Sequence, residues 1–321
     1  MNISRSSWRI RNDLPGYRYN MNGIIIINKE RGFTSFDVVA KLRGICHQKK
    51  IGHTGTLDPN ATGVLPVCLG SATGVCDLLA DKTKEYEATL LLGITTDTQD
   101  TTGNVLTEMD VNLTEADVIS CIRKFTGDIE QIPPMYSAIK VGGKKLYELA
   151  RRGETVERKP RPVTIYSIDA LDMDLPRVTM RVTCSKGTYI RTLCHDIGQS
   201  LGCGGAMERL VRRRVGEFDI SDAVTLTDVQ EYADAGKLDD ILIPVDEVFA
   251  RYGSIRLGEA ADRLLYNGNP FRRRDILEKN EGTDGERYRV YDSAGTFYGV
   301  FFFDNERGIY RPYKMFIPDR T

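Results

Sequence analysis

Gly52-His53-Thr54-Gly55-Thr56-Leu57-Asp58-Pro59-Asn60-Ala61-Thr62-Gly63 leads directly into Val64-Leu65-Pro66-Val67-Cys68-Leu69-Gly70. The first twelve residues hold three glycines, three threonines, one aspartate and one of the chain's three histidines. Glycine permits backbone conformations and close approaches closed to other residues. Pro59 fixes its own φ and biases Asp58 away from helix. The pattern therefore predicts a rigid, irregular loop that presents Asp58 and feeds a buried strand over 64–69. A carboxylate held this way suits chemistry, although an Asx-type turn in a glycine-rich connector would read the same.

Outward from that loop, the composition is that of a soluble globular protein. The chain has 321 residues, 41% hydrophobic and 28% charged, enough for two or three domains with a real core. No apolar run approaches the ~20 residues of a membrane span. Residues 1–20 are polar and arginine-containing, unlike a secretory signal, and are expected to form a disordered extension. Seven scattered cysteines, with no CxxC pair, read as reduced thiols in a cytoplasmic protein. Such cysteines and three separated histidines leave no metal site to predict.

Net charge is −1, but the charge is uneven. Lys140, Lys144, Lys145, Arg151, Arg152, Arg158, Lys159 and Arg161 face only three acids in the same stretch. Arg209 with Arg212–Arg214, and Arg272–Arg274, form two further clusters. Local basic patches on a neutral chain fit a phosphate-bearing partner held at defined places, although each alone also fits a solvated face.

Periodicity places the elements. Gly23–Asn28 reads as a buried strand, and Ser35 as the N-cap of a helix from Phe36 to about Cys46, with Phe36 among its apolar positions. A helix is expected near Gly74–Ala80. Lys84–Leu92 alternates as a half-buried strand with Tyr86 on its apolar face. Thr114 and Asp117 form a capping-box start for a helix over 115–125, closed by Gly127. Strand-like Ala138–Val141, a Gly142-Gly143 turn and a short basic helix over Lys144–Arg151 follow. Val163–Leu175 and Val178–Cys184 read as a hairpin. A helix starting at Gly187-Thr188 carries Arg191 in its first turn, and another covers Thr227–Ala235. Short alternating stretches over 288–291, 297–303 and 309–316 suggest a small all-β module. The first domain mixes strands and helices without strict βαβ alternation, so the fold expected is α+β with a mixed or antiparallel sheet.

Four motifs, in order across residues 23–216, carry a resemblance. Gly52–Pro59 resembles the signature loop of the TruB family of tRNA pseudouridine synthases. Lys84-Glu85-Tyr86-Glu87-Ala88 resembles that family's tyrosine strand. Gln131–Lys140 resembles the start of its RNA-gripping insertion, and Gly187–Leu193 its arginine motif. Where the family usually has Lys-Pro after the first strand, this chain has Lys29-Glu30, which suggests a less rigid Lys29. The resemblance implies a catalytic domain over 21–248, with the insertion at about 131–161, and a PUA-like β-rich RNA-binding domain over 249–321.

It also implies an isomerase that converts the uridine at position 55 in the tRNA T-loop to pseudouridine. The product has the substrate's atoms, so no cofactor is expected. Asp58 would be the catalytic carboxylate, as nucleophile or as base at C2′, acting on a base removed from its stack. Arg191 would hold it ionised. Tyr86 would stack on the target uracil, with acid–base work only if its pKa were lowered. His53 would fill the vacated stack. Lys29 would order the site or meet a phosphate. Tyr136, Lys140, Lys144, Lys145, Arg151 and Arg152 would grip the T-stem-loop, with the protein acting as a monomer. The glycine-rich loop lacks the Gly-Lys-Ser/Thr ending of a phosphate-cradling NTPase. A non-catalytic RNA-binding or chaperone protein is the main rival, and turnover separates it from an enzyme.

Overall fold

Four consecutive isoleucines set the geometry of the N-terminal part of the chain. In the computed structural model, which describes residues 21–278 and 282–317, Ile24–Ile27 lie within β1 (Gly23–Lys29) and are 0–2% exposed. Ile25 and Ile27 pack to one side and Ile24 and Ile26 to the other, so β1 is covered on both faces. The disorder expected of residues 1–20 falls outside the described residues.

Helix α1 (Ser35–Ile45) follows, but its cap is Thr34 and not Ser35. The Thr34 hydroxyl accepts from the Asp37 N–H while the Asp37 carboxylate accepts from the Thr34 N–H. The helix buries Ser35, Val38, Val39 and Leu42. Phe36, expected on that stripe, faces outward.

β2 (Ile51–His53) and β3 (Thr62–Leu69) flank the signature loop. β3 pairs antiparallel with β1 along its full length, from Gly23 opposite Leu69 to Lys29 opposite Gly63. A 3₁₀ turn over Gly70–Val75 and α2 (Cys76–Ala80) replace the single helix expected near Gly74–Ala80. β4 (Lys84–Leu92) matches its predicted bounds and alternation, and the hairpin β5 (Ile94–Thr96) and β6 (Val105–Glu108) comes next. Helix α3 (Glu115–Arg123) has the predicted Thr114–Asp117 capping box but ends at Lys124. Gly127 opens β7 (Gly127–Gln131) instead of closing the helix.

The insertion holds a minimal hairpin, β8 (Lys140–Val141) and β9 (Lys144–Lys145), and α4 (Leu146–Ala150). The long hairpin β10 (Arg161–Asp174) and β11 (Arg177–Cys184) leads to α5 (Ile190–Ser200), β12 (Gly205–Val215), β13 (Phe218–Asp219) and α6 (Leu226–Asp234). α5 begins at Ile190 with Tyr189 as N-cap, three residues after Gly187.

The main sheet runs β1-β3-β12-β4-β11-β10-β7, with β2 on β3 and β13 on β12. Only β3–β12 is parallel, so the α+β mixed sheet is what the sequence led us to expect. β3 shares one edge between two partners. β2 pairs with residues 67–69 and β12 with Thr62 and Gly63, which leaves a fork at residues 64–66. Pro66, with no N–H to donate, lies at that gap in the ladder.

The C-terminal module is a five-stranded sheet ordered β14 (Gly253–Arg256), β16 (Arg287–Tyr291), β17 (Phe297–Asp304), β18 (Ile309–Met315) and β15 (Phe271–Arg272), with α7 (Asp262–Tyr266) beside it. Its Val300 and Phe316 pack with Ile24, Ile26, Val75 and Phe249, joining it to the larger sheet.

α5 reaches the sheet through two glycines. A Cβ on Gly198 would lie 2.2 Å from the backbone nitrogen of Gly205 in β12. No side-chain motion relieves a backbone clash, so helix and strand approach closely only because both residues lack side chains. Gly198→Ala should destabilise the protein by about 1–3 kcal/mol, read as a lower midpoint of thermal unfolding by circular dichroism. An unchanged midpoint would show that the helix has room to retreat.

Candidate active site

The signature loop is pinned from three sides. Ser35, freed from capping, accepts the Leu57 N–H at 2.9 Å and donates to its carbonyl. The Pro59 carbonyl accepts from the Gly32 N–H at 2.8 Å and from Lys29 Nζ at 3.2 Å. Ala61 N–H closes a turn on the Asp58 carbonyl. Gly63, at φ +102°, passes so near β12 that a Cβ there would meet the Arg212 carbonyl oxygen. Asp58 thus leaves a loop whose neighbours on both sides are fixed.

Arg191 meets it from the first turn of α5. Its guanidinium donates to Asp58 Oδ2 at 2.5 Å, and a second nitrogen lies 3.8 Å from Asp100 Oδ2. Arg191 is 7% exposed against 39% for Asp58, so the arginine is the buried anchor and the aspartate the accessible member. A cation at a helix N-terminus opposes the helix dipole, and α5 has no acid of its own in that turn. The two carboxylates, from remote parts of the chain, offset this. No described residue donates a hydrogen bond to Asp58 Oδ1, which leaves that oxygen's lone pairs for a substrate. Burial pushes the Asp58 carboxyl above its ordinary value, the Arg191 charge pulls it down, and Asp100 pushes it up again.

Asp100 escaped the sequence reading. It sits in the turn between β5 and β6, where Oδ1 accepts from the Thr98 hydroxyl and the Thr102 N–H. That turn docks on the site because Gln99, at φ 64°, accepts from the Thr192 hydroxyl through its side chain and from the Met207 N–H through its carbonyl. A non-glycine residue in the left-handed region marks a constrained turn. The only sequence signal was a run of Asp and Thr that also reads as an ordinary turn.

Tyr86 is 9% exposed, on the apolar face of β4. Burial raises its hydroxyl above the usual tyrosine value, with a partial opposing pull from the Arg212 charge across the ladder. That direction is opposite to the lowered pKa that proton transfer would need. His53 Nδ1 accepts the Gly55 N–H at 3.3 Å, and its ring meets Phe36 edge-to-face at 5.3 Å and 87°. Burial and the Arg212 charge lower its pKa against a smaller opposing effect of the Gly55 contact, which favours the neutral imidazole.

Arg212 corrects an expectation. Counted in a surface cluster, it is 2% exposed. Its Nε donates to the Val64 carbonyl at 2.7 Å and a terminal nitrogen to the Gly55 carbonyl at 3.2 Å, filling the fork in β3. Lys29 is likewise buried, with its ammonium donating to the carbonyls of Glu30, Phe33 and Pro59. Its ammonium is occupied by backbone carbonyls of the turn and of the signature loop. Glu30, in place of the usual proline, contributes a carbonyl that helps pin the lysine. Burial pulls the Lys29 ammonium down to about 8, and Arg212 adds to the shift.

The insertion presents the expected basic face. Lys140, Lys144, Arg151 and Arg152 are exposed, and Lys145 and Tyr136 half-buried. Lys145 and Arg151 both approach the Tyr147 ring, at 5.4 and 5.5 Å. The β8–β9 register sets Lys140 directly opposite Lys145, and like charges across a ladder repel unless an anion lies between them. None of these side chains touches Asp58 or Arg191. The insertion is instead tied to the site at its root, where the Gln131 side chain donates to the Tyr189 carbonyl and accepts its N–H. Among the described residues no His, Cys, Asp and Glu group could hold a metal, and no helix is long and apolar enough to cross a membrane.

Comparison with known proteins gives the family. Residues 43–190 match the TruB family pseudouridylate synthase (N terminal domain), and residues 191–250 the tRNA pseudouridylate synthase B C-terminal domain. The chain is 50% identical over 312 residues to the tRNA pseudouridine synthase B of Lachnoclostridium phytofermentans, covering 92% of this chain and all of that one. It belongs to the TruB family of pseudouridine synthases. The corresponding protein of Clostridium kluyveri is 46% identical over 280 residues, 87% of this chain and 95% of its own. In fold, the chain is similar to one in the structure of an H/ACA RNP bound to a substrate RNA containing 2′-deoxyuridine, with TM-score 0.67 and 24% identity over 92% of this chain and 85% of that one. The archaeal box H/ACA sRNP Nop10-Cbf5 complex gives 0.66 and 25%, over 94% and 88%. The TruB family patterns stop at residue 250, just before β14, so the β-rich module lies beyond them.

If ionised Asp58 is the working form, turnover falls as pH drops through its raised pKa, so the acid limb of the kcat profile should lie above the ordinary carboxylate value. Arg191→Gln removes the main influence lowering that pKa and should move the limb to higher pH while reducing kcat. A limb that stays in place in the variant would detach Arg191 from the ionisation of Asp58.

Proposed function

We propose that the chain converts uridine to pseudouridine at position 55 in the T-loop of tRNA. The observation that carries this reading is an accessible Asp58 carboxylate with one oxygen held by buried Arg191 and the other free. Breaking the N1–C1′ bond and rejoining through C5 needs a carboxylate at the sugar and a base already out of its stack. The free oxygen of Asp58 can attack the sugar or take the C2′ proton, while the Arg191 contact keeps the group ionised in a partly dry site.

Tyr86, neutral and buried, stacks on the target uracil. His53, also neutral, fills the space that the base leaves. Lys140, Lys144, Lys145, Arg151 and Arg152, with Tyr136, hold the phosphates and bases of the T-stem-loop, and the PUA-like module adds RNA contacts. Every residue invoked lies on one chain, so a monomer suffices.

Release of the C5 hydrogen isotope from a labelled T-stem-loop RNA tests the reaction. The parent should release it at the T-loop uridine, and Asp58→Asn should abolish release while retaining binding. Binding by the parent without release would instead indicate an RNA-binding protein without the reaction.

Neutralising Lys144, Lys145, Arg151 and Arg152 together should weaken tRNA binding and reduce the slope of log affinity against log salt by about one for each lost phosphate contact. An unchanged slope in a salt titration would remove the insertion from the RNA interface.

A further inference from the structure

Phe36 has no structural reason to be aromatic. It stands in the first turn of α1 and is 70% exposed, while Ser35, Val38, Val39 and Leu42 fill the side of the helix that faces the core. A large apolar ring in water adds nothing to the fold, and a polar residue would serve the helix as well. Its one ring contact is the edge-to-face pairing with His53.

The position of Phe36 is nonetheless fixed. The Thr34–Asp37 capping box sets the first turn of α1, and the hydroxyl of the adjacent Ser35 is locked to the Leu57 backbone. Phe36 and Asp58 therefore each stand one residue from the same anchor. An exposed aromatic beside a neutral imidazole, at the edge of a site that must hold unstacked RNA bases, has the chemistry of a stacking platform.

We propose that Phe36 is a second stacking surface of the site. It takes an unpaired base next to the target uridine and braces the His53 ring from outside. It is a positioning residue: it touches RNA, not the reacting atoms, so its effect falls on substrate capture. The inference rests on the RNA-modifying reading above and adds a residue that none of the four sequence motifs contains.

The test uses the full chain. Phe36→Ala should raise KM for T-stem-loop RNA about tenfold or more, with kcat within about twofold, because one base stack is lost. Phe36→Trp and Phe36→Tyr should restore KM, while Phe36→Leu, apolar but not planar, should not. In Asp58→Asn carrying Trp8→Phe and Phe36→Trp, the single tryptophan should be quenched as RNA saturates the protein. If the parent isomerises the RNA but Phe36→Ala keeps its KM and the tryptophan is not quenched, the inference is overturned and the reaction stands. Rescue by Phe36→Leu equal to that by Phe36→Tyr would reduce the residue to apolar bulk and also overturn it. A parent that neither binds nor isomerises the RNA overturns both.

Discussion

A buried guanidinium without a carboxylate partner among the described residues holds the candidate site together. Arg212 reaches from β12 into the fork of β3, donates to backbone carbonyls on the strand and on the signature loop, and stands opposite Tyr86 of β4 in the sheet register. Three pieces of chain that carry the site meet on one side chain. Removing such a group would leave buried carbonyls unsatisfied, each costing about 1–3 kcal/mol. Arg212 is also an uncompensated positive charge under the site. Burial pulls the pKa values of His53, Lys29 and Lys84 down, and the Arg212 charge adds to each shift. A positive floor suits a polyanionic substrate and favours a neutral imidazole above it.

Around Arg212, each candidate site residue comes from a different kind of element. Asp58 comes from a pinned loop, Arg191 from the first turn of a helix and Tyr86 from the middle of a strand. A loop alone would hold Asp58 loosely. Here Ser35, Lys29 and Gly32 clamp its neighbours, and two glycines let α5 approach β12 closely, so Arg191 arrives at a set place. Preorganisation of this kind costs nothing at the moment of reaction.

Much of the fold was legible because the pattern was local. The alternation of Lys84–Leu92, the isoleucine run and the Thr114–Asp117 capping box each have a short-range cause, and the structure keeps them. The errors fell where short-range rules compete. Thr34 and Ser35 are both good caps, and the choice turned on Ser35 having a remote partner in Leu57. Arg212 looked like its neighbours Arg213 and Arg214, since adjacent strand residues differ only in the face they take, and pairing decides that. Phe36 fitted a helical stripe by spacing and faces water. In the site, Asp58, Arg191 and Tyr86 stood out within motifs, whereas Asp100 reaches Arg191 through a turn whose fold depends on contacts 93 residues away.

The Gln131 clamp on Tyr189 has a wider meaning. One amide side chain plays the part of a peptide group, fastening the base of the insertion to the backbone just before α5. Strain or rearrangement in residues 132–160 would meet that fastening before it reached Arg191. A change in the length or charge of residues 132–160 would therefore leave the backbone before α5 fastened where it is.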